Sequence, residues 1–150
     1  MVISRLSITP RYAETNQMGF VAEARYPGWL DMGRANLLKE QGLDYRQLEA
    51  RGYLMPVLEI GLFFHQPAYY DDALEIVTTL RSRPSFRIRL DYEIRRGDSL
   101  LVTGHSVQGF INRQQRPVKP PPEFLAKLDV IFPRTAPAEA GPAQNSTAGP

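Results

Sequence analysis

Residues 86–95, FRIRLDYEIR, alternate without a break. Phe86, Ile88, Leu90, Tyr92 and Ile94 fall on one side of an extended chain, and Arg87, Arg89, Asp91, Glu93 and Arg95 on the other. A period of two sends successive side chains to opposite faces, so this stretch predicts a strand with one face on a core and one in water, as in an antiparallel sheet. Gly97-Asp98 then reads as a tight turn into a second strand over 99–112. The run at 54–66, LMPVLEIGLFFHQ, is nearly all apolar and is expected to be a strand buried on both faces. Further strands are expected at 73–83 and 3–10.

Only one long segment has the helical period. Tyr26, Trp29, Leu30, Gly33 and Leu37 recur on one face. Pro27 sits in the first turn, where its missing N–H is no loss, and Gly42 is a plausible stop. Asp44 is suited to cap a second, short helix that ends near Gly52. The order is therefore strand, one long helix, then four strands, without an internal repeat. It predicts an α+β fold with a curved antiparallel sheet wrapped around one central helix. Residues 1–132 read as one domain. Residues 133–150 are rich in Pro, Ala and Gly and have little to bury, so a disordered tail is expected there.

Composition excludes several classes of function. The chain has 150 residues, 43% of them hydrophobic, which suits one globular domain. No apolar run approaches the roughly 18 residues of a membrane span. The opening MVISRLSITP lacks a secretory h-region, and a cytoplasmic location is expected. The absence of cysteine excludes disulfides, Cys-ligated zinc and Cys nucleophiles, and fits a reducing compartment. His65 and His105 stand alone, so no metal site is expected. The net charge is +2 with no run of five like charges, so no nucleic-acid partner is expected. Arg81, Arg83, Arg87, Arg89, Arg95 and Arg96 make one basic stretch. It is either the solvated face of a strand pair or a patch for a phosphorylated small ligand. Arg96-Gly97-Asp98 is explained by a hairpin turn. Asn145-Ser146-Thr147 is a sequon without a secretion signal, and Gly104-His105-Ser106 lacks the frame of a nucleophile elbow.

The segment Arg11–Leu38, RYAETNQMGFVAEARYPGWLDMGRANLL, resembles the 4-hydroxybenzoyl-CoA thioesterase branch of the hotdog superfamily. The pieces MPVLE and PAYYDD within Gly52–Asp72, and the pair Ser85-Phe86, extend the likeness over roughly residues 3–130. The resemblance implies a hotdog fold and hydrolysis of an acyl-coenzyme A thioester without a metal or redox cofactor. It also implies a dimer whose two sheets join edge to edge, with active sites at the interface, and often a tetramer built from such dimers. A non-catalytic module that binds acyl-CoA or acyl-carrier protein is the alternative.

Two departures from the family pattern bear on mechanism. Where the family carries a catalytic Asp, this chain has Asn16, whose amide is neither nucleophile nor base. Seven residues on stands Glu23, where an aromatic residue or His is frequent. In the family the backbone N–H at that position polarises the thioester carbonyl with help from the helix dipole, and a backbone donor survives any change of side chain. Asn16 also resembles the Asn of enediyne-pathway thioesterases, which share an ETN segment and in which an Arg of the central helix is implicated; Arg34 stands at the matching distance. Asn16, Glu23 and Arg34 are therefore the candidate catalytic residues. Asn16 is alternatively a loop residue satisfying backbone groups, Glu23 a helix-capping carboxylate and Arg34 a helix–loop ion pair. The candidate binding residues are Gly19 and Tyr26 near the motif and Pro56, Val57 and Leu58 along the acyl groove. Arg83 and Ser85 match the coenzyme A phosphate stretch, although Pro84 replaces a position that is often basic. Phe20, Tyr26, Phe63 and Phe64 suit either an apolar groove or a core, and the acyl group is not legible.

Overall fold

The computed structural model describes residues 1–133; the expected tail lies outside them apart from its first residue. The chain runs β1 (Val2–Ile8), α1 (Tyr26–Glu40), α2 (Tyr45–Ala50), β2 (Val57–Phe64), β3 (Leu74–Leu80), β4 (Arg87–Arg96), β5 (Ser99–Gly109) and α3 (Pro122–Ile131). The strands form one antiparallel sheet in the order β1-β3-β4-β5-β2. This is the expected hotdog arrangement, with α1 packed on the inner face against β1, β3 and β4.

The inner face follows the pleat. Ile88, Leu90, Tyr92 and Ile94 of β4 are buried, and Ile76 and Leu80 of β3 join them. From above, α1 contributes Tyr26, Trp29, Leu30, Gly33, Leu37 and Leu38. Each fully buried Leu or Ile stabilises the fold by about 1.5–3 kcal/mol relative to exposure. Gly33 sets the distance between the layers. A Cβ there would lie 2.5 Å from Thr78 Oγ1 and 2.8 Å from Ile76 Cγ2, so only glycine lets the helix come this close. Asp44 caps α2 by accepting the Arg46 N–H at 2.8 Å, and Gly42 and Gly52 take the positive φ values that end the two helices.

Three features differ from the sequence-based expectations. β2 is an edge strand rather than a strand buried on both faces: Phe63 is 59% exposed and Leu58 51%, because no described residue covers that side. Phe86 precedes β4 and is exposed beside Lys119, with the ammonium 5.8 Å from the ring centroid, so it does not continue the buried row. Helix α3 is an additional element, seated by buried Phe124 and Leu128. The outer face of β3 and β4 carries ion pairs between Arg81 and Asp91, Arg89 and Asp91, and Arg95 and Glu93, as a solvated face would. Among the described residues no helix is long and apolar enough to cross a membrane.

Candidate active site

The loop between β1 and α1 is held by one carboxylate. Glu14 is 8% exposed. Its Oε2 accepts the Trp29 indole N–H at 3.0 Å, and its Oε1 accepts the Arg11 backbone N–H at 2.9 Å and Arg11 Nε at 3.2 Å. Burial pushes the Glu14 carboxyl up, but the Arg11 N–H, the Trp29 indole and the Arg11 guanidinium outweigh it and hold the group below its ordinary value. The charge thereby clamps the loop to the first turns of α1.

The clamped loop presents Asn16. Its backbone N–H donates to Phe20 O at 2.9 Å and its carbonyl accepts Gly19 N–H at 3.0 Å. Its side-chain Oδ1 accepts Met18 N–H at 3.0 Å. This is an Asx turn, and Gly19 completes it at φ +86, a conformation that favours glycine. Asn16 is half-buried, and its Nδ2 group donates to no described residue. The chain then enters a 3₁₀ turn at Glu23–Arg25 that runs directly into α1, with no side-chain cap from Ala22. The first N–H groups of a helix have no intrahelical acceptor. The Glu23 N–H finds none among the described residues, and it stands one turn ahead of α1, near the positive end of the helix dipole. The Glu23 side chain is exposed.

A cleft of about 310 Å³ opens on the β2 side of this turn, walled by Phe20, Val21, Glu23, Tyr26, Phe64 and Pro67. Tyr26 is edge-on to Phe64 at 5.2 Å and to Trp29 at 4.9 Å, and burial raises its phenol against a hydrogen bond from the Ala68 backbone. Pro56, Val57 and Leu58 lie at the far end of the same bare strand, with Val57 and Leu58 exposed. His65 touches the cleft, but its Nε2 is bonded to Thr103 Oγ1 at 3.0 Å, on the outer face of the sheet; His105 pairs with Glu59 at 2.9 Å. His105 lies in β5 and His65 just past the end of β2, and each has an ordinary partner.

The remaining candidates stand apart. Arg34 is buried, donates from Nε to Tyr45 Oη at 2.7 Å and forms an ion pair with Asp31, whose side chain is 64% exposed. It borders a separate cleft with Tyr45, Tyr53, Leu54 and Met55, and no hydrogen bond joins it to Asn16. Burial opposes its charge, but Tyr45, Tyr92 and Asp31 more than restore it. Arg83 forks onto Asp129 of α3, Nε to Oδ1 and Nη2 to Oδ2 at 3.5 Å, while Nη1 reaches Pro84 O at 3.4 Å. Ser85 is exposed beside it. Among the described residues no three acidic, His or Cys side chains gather as a metal site. Sequence reasoning missed the Glu14–Trp29 clamp and the Asp129 partner. Neither has a local signal, since each joins residues from different elements.

Residues 10–128 match the family model described as the thioesterase-like superfamily. This chain belongs to that superfamily. As a thioesterase it is 35% identical over 94 residues to the "Putative acyl-CoA thioesterase YneP" of Bacillus subtilis, which covers 63% of this chain and 68% of that one. Among solved structures, the hypothetical protein TT1821 of Thermus thermophilus superposes with a TM-score of 0.80 and 32% identity, over 88% of this thioesterase and 99% of that chain. The DHNA-CoA thioesterase of Staphylococcus aureus follows at 0.76 and 25%, over 89% and 85%.

Proposed function

We propose that this thioesterase hydrolyses acyl-coenzyme A thioesters in the cleft beside β2, as a homodimer joined along that strand. The observation that carries the reading is convergence. Glu23, with its unused N–H, and an aromatic wall line one cleft, Asn16 stands behind that wall with its N–H bonded to Phe20 O, and the cleft ends on an apolar edge strand whose free side pairs with no described strand. A relative named for acyl-CoA hydrolysis and a structural neighbour named for DHNA-CoA hydrolysis support the substrate class.

Hydrolysis needs a water aimed at the thioester carbon and a home for its proton. Glu23 provides a carboxylate at the cleft mouth, and the Asn16 Nδ2 group provides a donor that orients the water or the oxyanion. As the C–O bond forms, charge moves onto the carbonyl oxygen, where the Glu23 N–H and the dipole of α1 stabilise it. Collapse breaks the C–S bond and the departing thiolate takes a proton. Arg83 and Ser85 would meet the coenzyme A phosphates, and the partner's Pro56, Val57 and Leu58 would close the acyl groove. The reading needs no metal or redox cofactor, fits a cytoplasmic enzyme and leaves room for a tetramer of two dimers.

One observation favours the non-catalytic alternative: Asn16 is neutral and its Oδ1 is already engaged by Met18. Release of free coenzyme A thiol from a panel of aliphatic and aromatic acyl-CoAs separates the two. Turnover of at least one thioester is expected; tight binding of the whole panel without thiol release establishes the binding module instead.

A further inference from the structure

The strongest unassigned contact lies at the nucleotide end. Both edges of the Arg83 guanidinium are engaged within the chain: Nε and Nη2 fork onto the Asp129 carboxylate and Nη1 reaches Pro84 O. A phosphate would take the same fork, because guanidinium donors match carboxylate and phosphate oxygens alike. Arg81, the neighbouring cation, is held by Asp91 at 2.9 Å. Asp129 sits in the last turn of α3, where the helix dipole disfavours a negative charge. The helix does not depend on this contact alone, since Phe124 and Leu128 are buried beneath it, Arg51 pairs with Glu123 at 2.9 Å, and Lys127 Nζ donates to Gln41 O at 2.9 Å.

We propose that Asp129 is an internal competitor for the phosphate-binding face of Arg83, so that a nucleotide-bearing thioester displaces the end of α3 as it binds. The proposal rests on the reading that Arg83 meets the coenzyme A phosphates. Competition of this kind is reciprocal: what α3 docking takes from nucleotide affinity, nucleotide binding takes from α3 docking. Asp129 thereby sets affinity for the nucleotide without touching the acyl group, and thioesters lacking the phosphates escape its effect.

The test compares an acyl-CoA with the same acyl group on pantetheine, which carries no phosphate. Asp129→Asn is expected to lower KM for the acyl-CoA about two- to fivefold, the size of a partly exposed ion pair, and to leave the pantetheine thioester as it was. Arg83→Ala is expected to raise KM for the acyl-CoA alone. Glu123→Gln loosens α3 without releasing Arg83 and is expected to move neither. If Arg83→Ala raises KM while Asp129→Asn does not lower it, the competition is overturned and the phosphate reading stands. If Arg83→Ala changes nothing, the phosphate reading itself fails. An equal drop from Glu123→Gln would mean that helix loosening, not competition, is responsible. Wild-type amide exchange gives an answer that needs no variant. Coenzyme A should speed exchange over the last turn of α3, and slowed or unaltered exchange overturns the proposal.

Discussion

Two clefts flank the first turn of α1, and they differ in what their polar groups do. The cleft on the β1 side is the larger, about 560 Å³, and holds Ser7, Thr9, Arg11, Glu14, Arg25 and Trp29. Its chemistry is occupied: Glu14 takes Trp29 and Arg11, and Arg25 donates to Ala13 O at 3.2 Å. The cleft on the β2 side is about 310 Å³, walled by aromatic rings, and lined by Glu23, whose N–H has no acceptor among the described residues. Volume favours the first and reactivity the second. The larger cleft builds the frame on which the smaller one is presented.

The two edges of the sheet repeat the contrast and supply the largest expected effect. β1 alternates between buried and outward residues, whereas β2 carries exposed apolar side chains on both faces. Ile60→Lys, in the middle of β2, is expected to convert the proposed dimer to monomer, because a charge on an edge strand opposes pairing. Activity is expected to fall on the order of 100-fold as the groove loses its far wall. Ile3→Lys on β1 should alter neither. Light scattering alongside thiol release checks both, and a wild-type protein that is monomeric at micromolar concentration removes the basis for the contrast.

Asn16→Asp acts in the turn beside the β2-side cleft and is expected to raise kcat by about tenfold or more, since a positioned base or nucleophile is worth about 10²–10⁴ where geometry permits. The Met18 N–H that Oδ1 accepts would serve a carboxylate equally well, so the turn should survive. Glu23→Gln in the wild-type background is expected to lower kcat. Loss of activity in Asn16→Asp would instead make the Asn16 amide a working donor. An unaltered kcat in Glu23→Gln would remove Glu23 as the base.

Most of the frame was legible because it rests on local period. Alternation at 88–94 and the α1 stripe each record which face is buried, and Asp44, Gly42 and Gly52 mark the ends. β2 was misread for a physical reason. An apolar run reports that both faces leave water, but not whether the covering surface comes from the same chain or from a second one. Phe86 failed because the period does not state where the strand begins. Helix α3 had a signal that went unused: Pro122 at its start, with Phe124 and Leu128 four apart. Within the site, the motif pointed to Asn16, Glu23 and Gly19; the fold joins Asn16 and Gly19 in one turn and sets Glu23 at the entry to α1. It leaves Arg34 under Tyr45 and Asp31, and Arg83 on Asp129. Those contacts join distant segments and have no pattern along the chain.

The smallest expected effect tests the frame itself. Glu14→Gln keeps the shape of the side chain and removes its charge, so the Trp29 and Arg11 donors keep a weaker acceptor. Hydrogen bonds to a charged group stabilise more than neutral ones, and the expected loss is about 1–2 kcal/mol. The pH dependence has a definite sign. Because the folded-state carboxyl titrates below its ordinary 4.5, the charge contributes stability that is fully present above that value and is lost as pH falls through the lower, folded value. Denaturation curves of wild type and Glu14→Gln should therefore differ at pH 7 and converge in acid. The acyl-CoA KM should move little, because Glu14 borders the other cleft, while kcat should fall a few-fold as the Asn16 turn loosens. A variant as stable as wild type at pH 7, with full kcat, would show that the loop is held without this charge and that the β1-side cleft does not serve as its frame.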